Sequence, residues 1–245
     1  MPSLIASLDH IAVLRDKRKA NEPDPVAAAV IAEMSGAAAV SVHLRGDRRF
    51  IQERDVRLLR DLVKTRLHLS LAPTNDAVKL AYAVKPDMVN LVPERQDEVS
   101  SSIGLDVILN GPHVKKVVRA LKEVGVRVAV LVDPDGDQVK AAHTAEADAV
   151  LLNTRLYADT ARSREGRDEL DRLESAARVA HKLGLRVIVG HGLDYHNAAA
   201  VSRIREVEAL EVGHALIARS LFTGLERAVR ELADLVAAGR SGPAS

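Results

Sequence analysis

A chain of 245 residues, 47% hydrophobic but only 2% aromatic, has the size of one (β/α)8 barrel and must build its core from Ala, Val, Leu and Ile. The 35 basic residues against 34 acidic ones leave no global field to draw it to nucleic acid or an anionic membrane, and with no tryptophan it lacks base-stacking platforms. The absence of cysteine removes disulfides, thiolate nucleophiles and cysteine metal sites. No apolar run approaches the roughly 18 residues of a membrane span, and Leu4 to Leu8 is too short for a signal peptide. A cytoplasmic location is therefore expected.

Leu4 to Leu8 reads as the first strand, with Asp9 and His10 just past its end. Arg15 to Lys19 predicts a charged loop closed by Pro23 and Pro25, a candidate phosphate clamp, and Asp24 caps a helix over Val26 to Met34. Ala39 to Val42 is the second strand and delivers His43. Arg45 lies two residues on, so the pair shares one side of an extended chain, an arrangement suited to an anionic substrate that exchanges a proton. Glu53 to Lys64 predicts a helix with Val56, Leu59, Leu62 and Val63 on one face.

The third strand, Leu67 to Leu71, puts His68 and Ser70 on one side. A helix over Asp76 to Val84 follows, then the fourth strand, Met88 to Val92. Ser100 to Asp106 reads as a polar loop at the rim, and Pro112 to Val124 as a helix. Asp133, Asp135 and Asp137 follow the fifth strand, Arg127 to Val132. They lack the glutamate that a calcium loop needs, so they are read as caps for the helix Gln138 to Glu146, and no metal is expected. Ala149 to Leu152 is the sixth strand. A charged segment, Asp159 to Glu169, then precedes a helix over Leu170 to Leu183.

Val187 to Val189 is a β-branched run typical of a strand buried on both faces. Gly190, His191 and Gly192 follow at once, so glycines flank an imidazole at the strand's carboxyl end, where parallel α/β folds carry their chemistry. Gly213-His214 repeats the pair after Ala209 to Val212, a strand broken only by Glu211, and just before a helical run. Glycine turns before helix N-termini at the last two strands of a barrel are the usual phosphate cradle. A closing helix spans Leu221 to Ala237. Eight strand signals alternating with helices predict a single barrel over residues 1–238, with a disordered tail over 239–245.

Several strings, in order, resemble the pyridoxine 5'-phosphate synthase family: DHIAVLR from Asp9, VHLRGDRR from Val42, LVPER from Leu91, GHGLDYHN from Gly190 and GHALIARS from Gly213. The resemblance implies a (β/α)8 barrel, usually a homo-octamer. It implies condensation of 1-deoxy-D-xylulose 5-phosphate with 3-amino-2-oxopropyl phosphate, two phosphorylated small molecules, with no cofactor. On the same ground Asp9, His10, Arg18, Arg45 and Ser100 fall where the family holds the sugar phosphate, and Gly192, Gly213 and His214 where it holds the amino-ketone phosphate. His43 matches a catalytic base and His191 a catalytic acid.

Four places depart from the family pattern. The third catalytic group, a glutamate on the third strand, is Ser70 here, and a substrate-binding asparagine is Ser7. A histidine that meets the sugar phosphate is Phe50, and Glu-x-His-Thr-Gly at the sixth strand reads Leu151 to Arg155. His68, on the same strand face as Ser70, is one candidate to replace the lost carboxylate. The departures also admit a paralogue acting on another phosphorylated amino-ketone or sugar, and a non-catalytic phosphosugar-binding partner.

Overall fold

The computed structural model describes residues 1–94 and 103–239. Eight parallel strands close into a barrel in chain order: β1 (Ser3–Ser7), β2 (Ala39–His43), β3 (Leu67–Leu71), β4 (Met88–Leu91), β5 (Arg127–Val132), β6 (Ala149–Asn153), β7 (Arg186–Gly190) and β8 (Val207–Val212). β8 returns to pair with β1, Ser3 opposite Ala209 and Ala6 opposite Val212. The chain is thus the (β/α)8 barrel that its alternation of strand and helix signals predicts.

Side-chain alternation along each strand sorts the core into two layers. Ile5, Ala39, Met88, Leu131, Leu151 and Ile188 point inward and fill the barrel. Their neighbours Leu4, Val40, Leu69, Val89, Val130 and Val187 point outward into a larger layer beneath the helices. The helices are α1 (Asp9–Arg18), α2 (Pro25–Met34), α3 (Glu53–Leu62), α4 (Asn75–Val84), α5 (Val107–Glu123), α6 (Gly136–Thr144), α7 (Arg155–Thr160), α8 (Arg164–Lys182), α9 (Ala198–Ser202), α10 (His214–Thr223) and α11 (Leu225–Ala238). Among the described residues no helix is long and apolar enough to cross a membrane.

The charged stretch Arg15 to Lys19 is no loop: Arg15 to Arg18 form the last turns of α1. Ile11, Ala12 and Arg15 make its buried face, so the inward position one turn after Ile11 is a guanidinium, which masks the apolar period. That guanidinium is matched. Arg15 donates to Asp55 through Nη1 at 2.9 Å and Nη2 at 2.6 Å, and Nη2 also donates to the Phe50 carbonyl at 2.8 Å.

Other boundaries move for local reasons. In α3, Val56 and Leu59 are buried and Val63 closes the face, but Leu62 is 46% exposed, because the helix ends there and Val63 turns back as an extended residue. The charged segment over 159–169 is helical on both sides of a short turn, since Ser163 accepts from the Gly166 amide and starts α8 six residues early. The closing helix is two helices, broken at Gly224, whose φ of 79° interrupts the right-handed run. The segment read as a disordered tail lies outside the described residues beyond Gly239.

Candidate active site

The carboxyl ends of the strands open on a cavity of about 530 Å³. Alternation carries the inward series of apolar residues into polar ones at this level: Ser7 on β1, His43 on β2, Ser70 on β3, Asn90 beside it on β4, and Glu211 on β8. Of the residues singled out from sequence, Ser7, Asp9, His10, His43 and Ser70 line the cavity together with His191, Gly192, Gly213 and His214. Arg155, Asp159, Asp194 and Glu211 line it as well.

Arg18, Arg45 and Phe50 stand apart from it. Arg18 is exposed at the end of α1. Arg45 is buried, but β2 ends at His43, so the two-residue alternation does not carry on to it. Its guanidinium instead meets Asp47 at 3.1 Å. Burial alone would raise the Asp47 carboxyl, but the Arg45 and Arg49 hydrogen bonds outweigh it and hold the group down to about 2. Phe50 has a φ of 68° and packs against the layer under the helices. Ser100 lies outside the described residues.

His43 is oriented from two sides. Its amide donates to Asp9 Oδ1 at 2.6 Å, while Asp9 Oδ2 accepts from the Ser7 hydroxyl at 3.1 Å. Its ring Nε2 lies 3.3 Å from Glu94 Oε1. Burial pushes the Glu94 carboxyl up, but the His43 contact, the Gly46 amide and the Arg45 charge together bring it below the usual carboxylate range. An ionised acceptor at Nε2 favours the tautomer with its proton there, which leaves the basic lone pair of neutral His43 on Nδ1.

His191 sits in the left-handed region at φ 75°, which is costly for a residue with a Cβ, and Gly192 follows at φ 85°. Thr154 holds this turn: its amide donates to the Gly190 carbonyl at 2.8 Å, and its hydroxyl lies 2.7 Å from the carbonyl oxygens of both Gly190 and His191. The rest of the motif is scaffold. Asp194 accepts from the His196 and Asn197 amides, and Asn197 accepts from the Asp194 amide at 2.8 Å.

Two ten-residue helices, α1 and α10, begin at the cavity with no side chain capping them, whereas α2, α4, α5, α6 and α8 are capped by Asp24, Thr74, Asp106, Asp135 and Ser163. Their open amides and positive dipole ends suit an anion. His10 and His214, the residues at these two starts, meet edge to face at 5.1 Å between ring centroids. Burial chiefly, then the nearby His214, lowers the His10 pKa against the opposing pull of Asp9. At Gly213 an added Cβ would lie 3.0 Å from Ser7 Oγ. Gly213→Ala should therefore narrow the cradle and weaken binding of inorganic phosphate about tenfold by titration calorimetry. Unchanged affinity would remove this turn from the anion site.

Sequence reading missed Glu211. Asn90, fully buried, brings its Nδ2 within 3.4 Å of both Ser70 Oγ and Glu211 Oε2. Burial, reinforced by the charge of Asp9 and only partly offset by Ser41, pushes the Glu211 carboxyl up to about 7. The signal was its parity: Glu211 is two residues from Ala209 and from Gly213, hence inward. His68, by contrast, does not line the cavity. Its burial, with opposing Asp87 and reinforcing Arg127, lowers it to about 4, and it stays neutral. The DPDGD acids hold protein groups: Asp133 accepts from the Gly104 and Asn153 amides, and Asp135 caps α6. Among the described residues no cluster of three or more His, Asp or Glu could hold a metal.

The family model for pyridoxal phosphate biosynthesis protein PdxJ matches residues 4–238. Similar relatives include a pyridoxine 5'-phosphate synthase of Geobacter sulfurreducens, 45% identical over 96% of this chain and 99% of its own length. One of Synechococcus is 49% identical over 95% of this chain and 97% of its own. Among solved structures, a phosphoribosylanthranilate isomerase of Thermotoga maritima superposes with a TM-score of 0.59 at 14% identity, covering 99% of this chain and 100% of that one. That likeness shows the fold alone.

Proposed function

The chain belongs to the PdxJ family, and from that premise we propose that it condenses 1-deoxy-D-xylulose 5-phosphate with 3-amino-2-oxopropyl phosphate, closing the pyridine ring of vitamin B6 and releasing phosphate and water. The observation that carries this reading is the convergence of His43, His191 and two uncapped helix starts on one cavity. The amine adds to a ketone to give a Schiff base, and protons then move on and off carbon and oxygen as phosphate and water leave. Each step needs an acid and a base near neutral pKa.

In this assignment His43, backed by Glu94, takes protons, and His191, held by Thr154, gives them. The turns at Gly192 and Gly213, with His10 and His214, hold the two phosphates, and their binding energy orients the reacting carbons. The same reading places the protein in the cytoplasm, as one barrel over residues 1–238, and assembles it as a homo-oligomer, an octamer by resemblance. Leu221 and Phe222, 69% and 88% exposed at the end of α10, support an assembly surface there.

Purified protein given both substrates should form pyridoxine 5'-phosphate, followed by chromatography, and His191→Ala should slow it by about 100-fold or more. Product formation indifferent to His191→Ala would remove His191 from the chemistry. Tight binding of one phosphate ester with no product would instead favour a changed substrate.

A further inference from the structure

The family pattern has a glutamate where this chain has Ser70, and a serine hydroxyl cannot stand in for it because it does not ionise near neutral pH. We propose that Glu211 is the third acid–base group of this cavity, delivering from β8 the carboxyl function that β3 lacks. This rests on the reading of function given above and adds a residue to it.

Three features of the structure place Glu211 in that role. It points inward at the cavity level, on the strand that leads into the Gly213 turn. It converges with Ser70 on one amide: Asn90 Nδ2 is 3.4 Å from Ser70 Oγ and 3.4 Å from Glu211 Oε2, so a carboxylate reaching out from position 70 and one reaching in from position 211 serve the same region. Room is also kept for it: a Cβ on Gly190 would lie 3.1 Å from Glu211 Cβ.

Its surroundings suit proton exchange. Among the described residues no Lys or Arg pairs with it. Asp9 and His10 at the end of β1, His43 on β2, Arg155 and Asp159 on α7, and His191, Asp194 and His214 are the other charged or titratable groups lining the opening, and Arg155 is taken up by Asp159 at 2.8 Å. Asp9 adds to burial in keeping the Glu211 carboxyl protonated up to about pH 7. Its partners are the Asn90 amide and the Ser41 hydroxyl rather than a cation, which leaves its proton free to exchange with a ligand in the cavity.

The step is a dehydration. Protonated Glu211 gives its proton to a departing hydroxyl, the C–O bond breaks and water leaves. The carboxylate so formed takes a proton from the adjacent carbon or nitrogen, whose bonding pair becomes the new double bond. Glu211 ends as it began, and no other reactant is needed.

The test compares wild type, Glu211→Gln and the double variant Glu211→Gln/Ser70→Glu with both substrates. Glu211→Gln should lower kcat by about 100-fold or more with KM nearly unchanged, and should lose the limb of the pH–rate profile near 7. The double variant should recover at least about tenfold of that loss. A Glu211→Gln enzyme within about threefold of wild type, with the same pH profile, overturns the proposal.

A wild type that forms no product overturns the reading of function instead. Glu211 is then judged by carboxyl-carbon NMR, using the resonance that disappears in Glu211→Gln. Titration near pH 7 that shifts when 1-deoxy-D-xylulose 5-phosphate is added supports the assignment. Titration in the ordinary carboxylate range, or indifference to the ligand, overturns it. A melting curve for Glu211→Gln as cooperative as that of wild type, with a midpoint no lower, shows that the variant folds.

Discussion

Asp55→Ala should destabilise the protein by about 3–5 kcal/mol in denaturant unfolding, out of scale with the loss of a single carboxylate at a protein surface. Asp55 is 1% exposed and Arg15 7% exposed, and two parallel hydrogen bonds join them, so neither charge has water to fall back on. Removing Asp55 leaves a buried guanidinium with, among the described residues, only the Phe50 carbonyl as acceptor, and it also strips the Gln52 amide of its acceptor at the start of α3. The pair fastens α1 to α3 and to the segment between β2 and α3. Replacing both groups with apolar residues of similar volume, Arg15→Met with Asp55→Leu, should recover most of the loss, because no uncompensated charge then remains. A double variant as unstable as the sum of the two single ones would show that the residues act independently.

Glu211→Gln should act in the opposite direction on stability, raising the free energy of unfolding by about 2–3 kcal/mol at about pH 8. A carboxyl raised from its ordinary 4.5 to about 7 keeps its proton in the folded state over an interval where the unfolded chain has released it. Stability is therefore lost as pH rises from the unfolded value through the folded one, and the penalty is full above about pH 7. Glutamine keeps a polar contact with Asn90 and carries no charge to desolvate. Its advantage should shrink as pH falls and vanish near pH 4, which unfolding curves at several pH values would record. A constant difference across that range would mean that Glu211 does not titrate there. A gain in stability combined with a loss of turnover is what a residue retained for chemistry should show.

These two acids contrast in what surrounds them. Asp55 is buried with a cation and hydrogen-bond donors, and it fastens helices. Glu211 is turned toward a cavity with an amide, a hydroxyl and another acid for company, so its charge is disfavoured and its proton is exchangeable.

By itself the sequence determined the barrel and most of its mouth. The β-branched run Val187 to Val189 and the alternating Leu67 to Leu71 read as strands from local pattern, and a period of two then decides which side chains face inward. Glycines beside His191 and His214 mark the turns because backbone shape there is a local matter. The inward parity of Glu211 was legible in the same way, although a single charge in a short strand reads as an interruption.

Tertiary structure alone decided the rest. Arg15 faces inward only because Asp55, forty positions on, lies waiting under α1, and that contact turns a charged stretch into helix. Arg45 leaves the cavity because the chain bends past β2 and Asp47 takes its guanidinium. Ser70 and Asn90 are register partners on neighbouring strands, but Glu211, 121 positions beyond Asn90, meets them only because closure of the barrel brings the inward ends of its strands around one axis. Local propensity fixes where an element forms and which way its residues alternate. Only the closed ring fixes which of those residues become neighbours, and both pKa and chemistry depend on neighbours.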